Sequence, residues 1–200
     1  MTDISSKESN EKVAFSFKLG IKDICVTSLM VAVMCILAPL SVTIGPIPLT
    51  LAIATMYLSA YVLGAYKGTI AVFIYILLGL VGLPVFSGYQ GGFAKLFSYT
   101  GGYIFGYIFL VLISGLFIDK FSSKKLYFHV FGMLLGLLFC YFFGTCWFCV
   151  LTKASFTYAL SVCVIPFIGF DIIKLIIAII VGVPLRRALS KAKLISYKNI

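Results

Sequence analysis

Residues 127–151 run without a single Asp, Glu, Lys or Arg. A helix that crosses the hydrocarbon core needs about 20 mostly apolar residues, so this stretch has the bilayer as its natural solvent. It is not alone. Of the 200 residues, 62% are apolar and 11% are charged, against roughly 25% charged in an ordinary soluble domain. A soluble globule of this size has too little interior to hide so many Leu, Ile, Val and Phe side chains. The composition equally excludes a disordered chain, a collagen and a disulfide-rich secreted module.

Punctuation by proline, glycine and charge divides the apolar content into six spans. The first covers 24–40 and ends in a turn holding Gly45, Pro46 and Pro48, which a regular helix cannot continue through. The second covers 49–66 and stops at Lys67-Gly68; the third covers 69–83 and stops at Pro84. A glycine-rich stretch, 87–102, follows and is too broken for a helix. The fourth span is 103–118 and the fifth 127–151, joined by a charged loop over 119–125. Apolar character resumes over 158–185, interrupted by Pro166 and Gly169. The pattern predicts a short leading segment and then a helix starting near Phe170, with Asp171 in its dipole-stabilised first turn. The expected architecture is therefore an all-α integral membrane protein of six transmembrane helices. Its parts are an N-terminal tail over 1–23, a membrane domain over 24–187 and a basic C-terminal tail over 188–200.

The net charge of +10 belongs to topology. The cations fall in short clusters between apolar runs, which argues against a nucleic-acid partner. With the N-terminus inside, 13 of the 16 Lys and Arg lie on the cytoplasmic side, among them Lys22, Lys67, Lys120 and Arg186. Lys95 and Lys153 lie outside, and Lys174 lies within a span. The bias predicts both termini in the cytoplasm and a multi-pass protein of a bacterial or archaeal cell membrane. It places both Gly/Pro-rich connections on the outer face. The polar residues at the start lack a signal-peptide cleavage pattern, which predicts a retained first span.

Several chemistries are not encoded. There is no phosphate-binding G-x-x-x-x-G-K-[ST] loop, so the chain does not use ATP by that device. His129 is the one histidine, too few for a zinc or Ser-His-Asp constellation. The six cysteines lie in apolar stretches as small hydrophobes, the Cys146-x-x-Cys149 spacing included. No enzyme, metal or cofactor is expected. No duplicated three-span unit is visible, which weighs against an inverted-repeat carrier.

Two features point to a small-molecule site. Asp171 and Lys174 are three apart, hence on one helix face. Each ionised group costs about 2.5–3.5 kcal/mol near the bilayer centre, so both must pair or face a cavity. They are either an ion pair that pins the last helix or the polar end of a binding site. The 87–102 stretch carries Tyr89, Gln90, Lys95, Tyr99 and Thr100 among its glycines. It is either a plain outer loop or a lid over an outward cavity. Phe86, Tyr89, Tyr103 and Trp147 are candidate apolar walls. In the first span, Ser28 and Ala32 form a small-xxx-small spacing that lets another helix approach closely.

Four motifs occur in one order: Ile44-Gly-Pro-Ile-Pro-Leu-Thr-Leu51, Leu78-Gly-Leu-Val-Gly-Leu-Pro-Val-Phe86, Thr100-Gly-Gly-Tyr-Ile-Phe-Gly106 and Pro166-Phe-Ile-Gly-Phe-Asp-Ile-Ile-Lys174. Over about 25–187 the chain resembles the BioY family, the biotin-specific substrate-binding (S) components of energy-coupling factor transporters. The resemblance implies a six-helix S-component fold with an outward vitamin site. It implies docking to a transmembrane T component and two ATP-binding cassette ATPases, which supply the energy while the S component topples in the membrane. It assigns Asp171 and Lys174 to the biotin ureido head and makes 87–102 the cap of the site. Lys95, the cation of that loop, is the expected partner of the valerate carboxylate, with Tyr89, Gln90 and Thr100 as further contacts. Ser28 and Ala32 echo the family's Ala-x-x-x-Ala docking motif. Two positions depart from the family: Ala52 stands where a glutamine is usual, and Tyr99 where a proline is usual. The alternatives are an S component for another vitamin and a standalone ion-coupled carrier.

Overall fold

The computed structural model describes residues 20–44, 47–121, 126–195 and 197. Lys7, Lys12 and Lys18 of the expected N-terminal tail lie outside these residues, as do Lys124, Lys125 and Lys198. In chain order the elements are α1 (Ile21–Leu37), β1 (Ser41–Ile44), β2 (Ile47–Thr50), α2 (Ala52–Leu80), a single turn α3 (Phe93–Leu96), α4 (Gly101–Lys120), α5 (Leu126–Thr152), α6 (Phe156–Cys163) and α7 (Ile165–Lys191). By length and composition four of them, α2 taken as a whole, α4, α5 and α7, are long and apolar enough to cross a membrane. The expectation of an all-α chain needs one correction. The turn after the first span is a small antiparallel hairpin, pairing Ser41 with Thr50 and Ile44 with Ile47.

The apolar runs predicted as second and third spans fall largely on the two arms of α2. The break is at Gly64, not at Lys67-Gly68 as expected. Gly64 adopts φ 75°, ψ −171° inside an otherwise helical run, a conformation open to glycine and strained for other residues. The chain reverses there. A Cβ placed on Gly68 would sit 3.3 Å from the Ser59 carbonyl oxygen, whereas a straight helix would separate these residues by about 13.5 Å. A glycine set between Leu63 and Ala65 carries neither the charge nor the proline that marks a break in sequence.

A polar knot holds the reversal. The break frees the Ala65 N–H, which donates to Asp119 Oδ2 at 2.8 Å; the carboxylate thus caps the second arm as a capping residue would. Arg186 donates to Asp119 Oδ1 at 2.7 Å and to the Tyr61 carbonyl at 3.1 Å. Its guanidinium also stacks on the Tyr197 ring, whose hydroxyl donates to the Val62 carbonyl. Arg186, expected as a tail cation, is 1% exposed. Beside the knot, Asp23 at the start of α1 pairs with Lys67. Burial keeps the Tyr197 phenol protonated, with its pKa pushed up to about 12.

The helices pack where small residues face each other. α4 lies along α5 with Gly136 too close to the Leu110 carbonyl oxygen for a Cβ and Gly106 in tight contact with Cys140. Such contacts replace the hydrophobic effect as the glue between helices in lipid. Buried tyrosines add cross-ties: Tyr57 donates to the Met133 carbonyl, and Tyr61 and His129 share a hydrogen bond. The outer surface of α5 and α7 is a field of exposed Leu, Ile and Phe, as expected where lipid is the solvent.

Gly64→Ala should lower folding stability by about 1–3 kcal/mol, because its φ is positive and the new Cβ would meet the Asp119 carboxylate. Gly169→Ala, with open space around it, serves as the control. Thermal unfolding in detergent compares the two, and equal midpoints would remove Gly64 from any special role.

Candidate functional site

At the end of the bundle opposite the Gly64 reversal lies a cavity of about 580 Å³, open mouth included. Every layer of the fold contributes a wall. The β1–β2 hairpin brings Ile47 to Thr50, and the arms of α2 bring Ala52, Ile53 and Tyr75. Phe86 and Ser87 come from the loop after α2, Thr100 and Tyr103 from the start of α4, Tyr141 from α5, and Phe167, Asp171 and Lys174 from α7.

The floor is charged. Lys174 Nζ donates to Asp171 Oδ1 at 2.7 Å, and Tyr141 donates its hydroxyl to Asp171 Oδ2 at 2.5 Å. Asp171 is 1% exposed and Lys174 7%. The pair is internally neutral, which is how two charges survive at this depth. One expectation is corrected here. α7 starts at Ile165 with Pro166 in its first turn, so Asp171 lies beyond that turn and its orphan N–H groups. Its charge is held by Lys174 and Tyr141, not by the helix terminus. Proline suits the first turn of a helix because it has no N–H to satisfy, so Pro166 opens α7 where the sequence pattern marks an interruption.

The structure brings three of the six predicted site residues together: Asp171, Lys174 and Thr100 all line the cavity. Tyr89, Gln90 and Lys95 do not. Tyr89 and Gln90 are exposed at the turn of a small bridged loop in which Phe86 and Gln90 pair. Lys95 is half-buried on α3, and that burial lowers its pKa from the usual lysine value. It connects to the cavity through the chain: the Lys95 carbonyl accepts from Ser98 Oγ, which lies 3.0 Å from Thr100 Oγ1.

The glycine-rich stretch is tied down at both halves. Tyr75 donates to the Val85 carbonyl and the Gly92 N–H donates to the Gly79 carbonyl. Trp147 Nε1 donates to the Ser98 carbonyl at 3.0 Å. Trp147 therefore holds the loop rather than lining the cavity, whereas Phe86 and Tyr103 do line it. Ala52, the position of the unusual residue, is a buried part of the wall; Tyr99 is exposed and packs its ring near Phe148. Ser28 and Ala32 are both exposed on the outer face of α1, away from the cavity. Sequence reasoning missed Tyr141. It is one of 12 tyrosines, and nothing in the spacing marks its hydroxyl as the partner of Asp171, thirty positions away.

Residues 7–191 match the BioY family. The chain belongs to the BioY family. Among its BioY relatives, the biotin transporter BioY of Thermotoga maritima is 38% identical over 148 residues, covering 74% of this chain and 86% of that one. The probable biotin transporter BioY of Pyrococcus horikoshii is 36% identical over 161 residues, covering 80% and 94%. The fold is similar to the crystal structure of the S-component for biotin from an ECF-type ABC transporter, with a TM-score of 0.78 and 29% identity over 89% of this chain and 93% of that one.

The buried pair in this BioY chain yields a stability test. Asp171→Ala strands the Lys174 ammonium and should cost about 3–5 kcal/mol, whereas Asp171→Leu combined with Lys174→Met should recover most of that loss. Thermal unfolding without ligand measures both. A double variant no more stable than the single one would show that the charges are not compensating each other.

Proposed function

We propose that this chain is the biotin-binding S component of an energy-coupling factor transporter, embedded in the bacterial or archaeal cell membrane. The observation that carries the reading is a neutral carboxylate–ammonium pair buried on the floor of an otherwise apolar and hydroxyl-lined cavity, in a member of the BioY family. Biotin fits this chemistry. Its ureido N–H groups donate to a carboxylate, its ureido carbonyl accepts from an ammonium, and its thiophane ring and valerate stem are apolar. Asp171 takes the N–H side and Lys174 the carbonyl side. Thr100 contacts the ligand beside them.

Lys95 is the proposed partner of the valerate carboxylate, with Tyr89 and Gln90 beside it in the capping loop. The loop must then shift when the ligand enters, bringing the Lys95 ammonium inward from α3. Half-burial already weakens the hold of water on that ammonium, which favours an ion pair over a free cation.

The chain makes six passes, with the arms of α2 as the second and third, and both termini face the cytoplasm. The arms are short, about 18 and 24 Å. The β1–β2 hairpin and the 85–100 loop consequently sit at membrane depth. Irregular backbone is tolerated there because it roofs a cavity. Ser28 and Ala32 form the docking face for the transmembrane T component, where their small side chains admit a close helix. Two ATPases supply the energy, and the chain itself is neither an enzyme nor a holder of metal or cofactor.

Titration of the purified protein with biotin should show saturable binding, weakened at least tenfold by Asp171→Asn and by Lys174→Ala. Absence of binding by the wild-type chain, with another vitamin bound instead, would transfer it to a different substrate. Lys95→Ala should weaken biotin more than biotin methyl ester, which lacks the charge. Equal losses for both ligands would remove Lys95 from the carboxylate site.

A further inference from the structure

The hydrogen bond from Tyr141 to Asp171 crosses a seam. α5 packs against α4 and α6, and α7 against α2 and α6, while α5 and α7 approach each other only sparsely. On the lipid side of this seam is a second, apolar cavity walled by Leu138, Phe142, Leu160 and Ile168, together with Tyr141. The Tyr141 ring is thus the partition between that cavity and the charged floor, since it lines both. Its hydroxyl is the direct polar tie across the seam to the carboxylate.

We propose that Tyr141 is a positioning residue for ligand capture, holding the Asp171 carboxylate in a fixed plane with its remaining lone pairs turned to the cavity. A carboxylate has two oxygens and about four acceptor sites. Lys174 occupies one site on Oδ1 and Tyr141 one on Oδ2, which leaves an acceptor on each oxygen. A single donor would let the carboxylate rotate about its terminal bond, whose preferences are broad. Two donors, one from its own helix and one from across the seam, define the plane. The free acceptors are then aligned before a donor-bearing ligand arrives, and that ordering cost is not charged to binding.

The inference rests on the assignment of biotin to this cavity, and the experiment separates the two. Biotin titrations compare wild type, Tyr141→Phe, Asp171→Asn and the double variant, with thermal unfolding of each. Phe keeps the ring partition and removes only the hydroxyl. Loss of a hydrogen bond to a charged group should raise the Kd roughly 10- to 100-fold. In the Asp171→Asn background the same change should shift Kd by less than about twofold, because the two residues act as one unit. A biotin analogue methylated on the ureido nitrogens should bind wild type and Tyr141→Phe alike. Failure of wild type to bind biotin would overturn the assignment of the substrate. Wild-type binding with Tyr141→Phe within about twofold, or with additive losses in the double variant, would overturn the positioning role. An equal loss for the methylated analogue would likewise overturn it, since a merely structural defect penalises both ligands.

Discussion

A carboxylate and an ammonium 2.7 Å apart at the bottom of an apolar protein set the terms for everything around them. Either charge alone would be costly at this depth, and together they are affordable only if their pairing is held rigidly. α7 supplies both from one face, three residues apart, but a single helix cannot orient the carboxylate fully. The remaining constraint comes from Tyr141 on α5, which needs α5 at a fixed distance. α5 is held in turn by its glycine-lined seam with α4 and by the tyrosine cross-tie from Tyr57 to its backbone. The helix bundle thus serves as the frame for one oriented dipole.

The roof over that dipole follows from the shortness of the α2 arms. Because the chain reverses at Gly64, the hairpin and the start and end of the glycine-rich loop both come to the mouth of the cavity. Tyr75, Phe86 and Trp147 then pin the loop by its backbone carbonyls and ring contacts. Glycine in this loop permits tight turns, but the loop is anchored rather than slack. Any opening must release specific hydrogen bonds, Trp147 to Ser98 among them.

Much of this was legible in the chain. The long charge-free runs mark the apolar helices, and the i, i+3 spacing of Asp171 and Lys174 within one of them identifies the charged pair. What was not legible has a common cause. A reversal at a single glycine leaves no charge or proline behind, and Pro166 reads as a breaker although it serves in the first turn of α7. The wall residues Tyr141 and Phe167 are apolar-run aromatics like many others, and only the packing of distant helices singles them out. Lys95 stands out in the sequence as the cation of the glycine-rich loop, a criterion that carries no distance. It lies on α3, outside the cavity lining.

Two ion pairs among the described residues, Arg186–Asp119 and Lys174–Asp171, show why a charge in a membrane helix is not by itself a binding site. Asp119 spends one oxygen on the Ala65 N–H and the other on Arg186, and Arg186 goes on to the Tyr61 carbonyl and the Tyr197 ring. That knot closes around the reversal and its partners are all parts of the fold. Asp171 likewise receives one donor on each oxygen, but the three groups involved all line one cavity. The first pair stabilises a turn that the helix geometry leaves unsatisfied. The second keeps acceptors in reserve at the wall of a cavity. Net charge distinguishes neither; the distinction lies in whether the cavity reaches the charge.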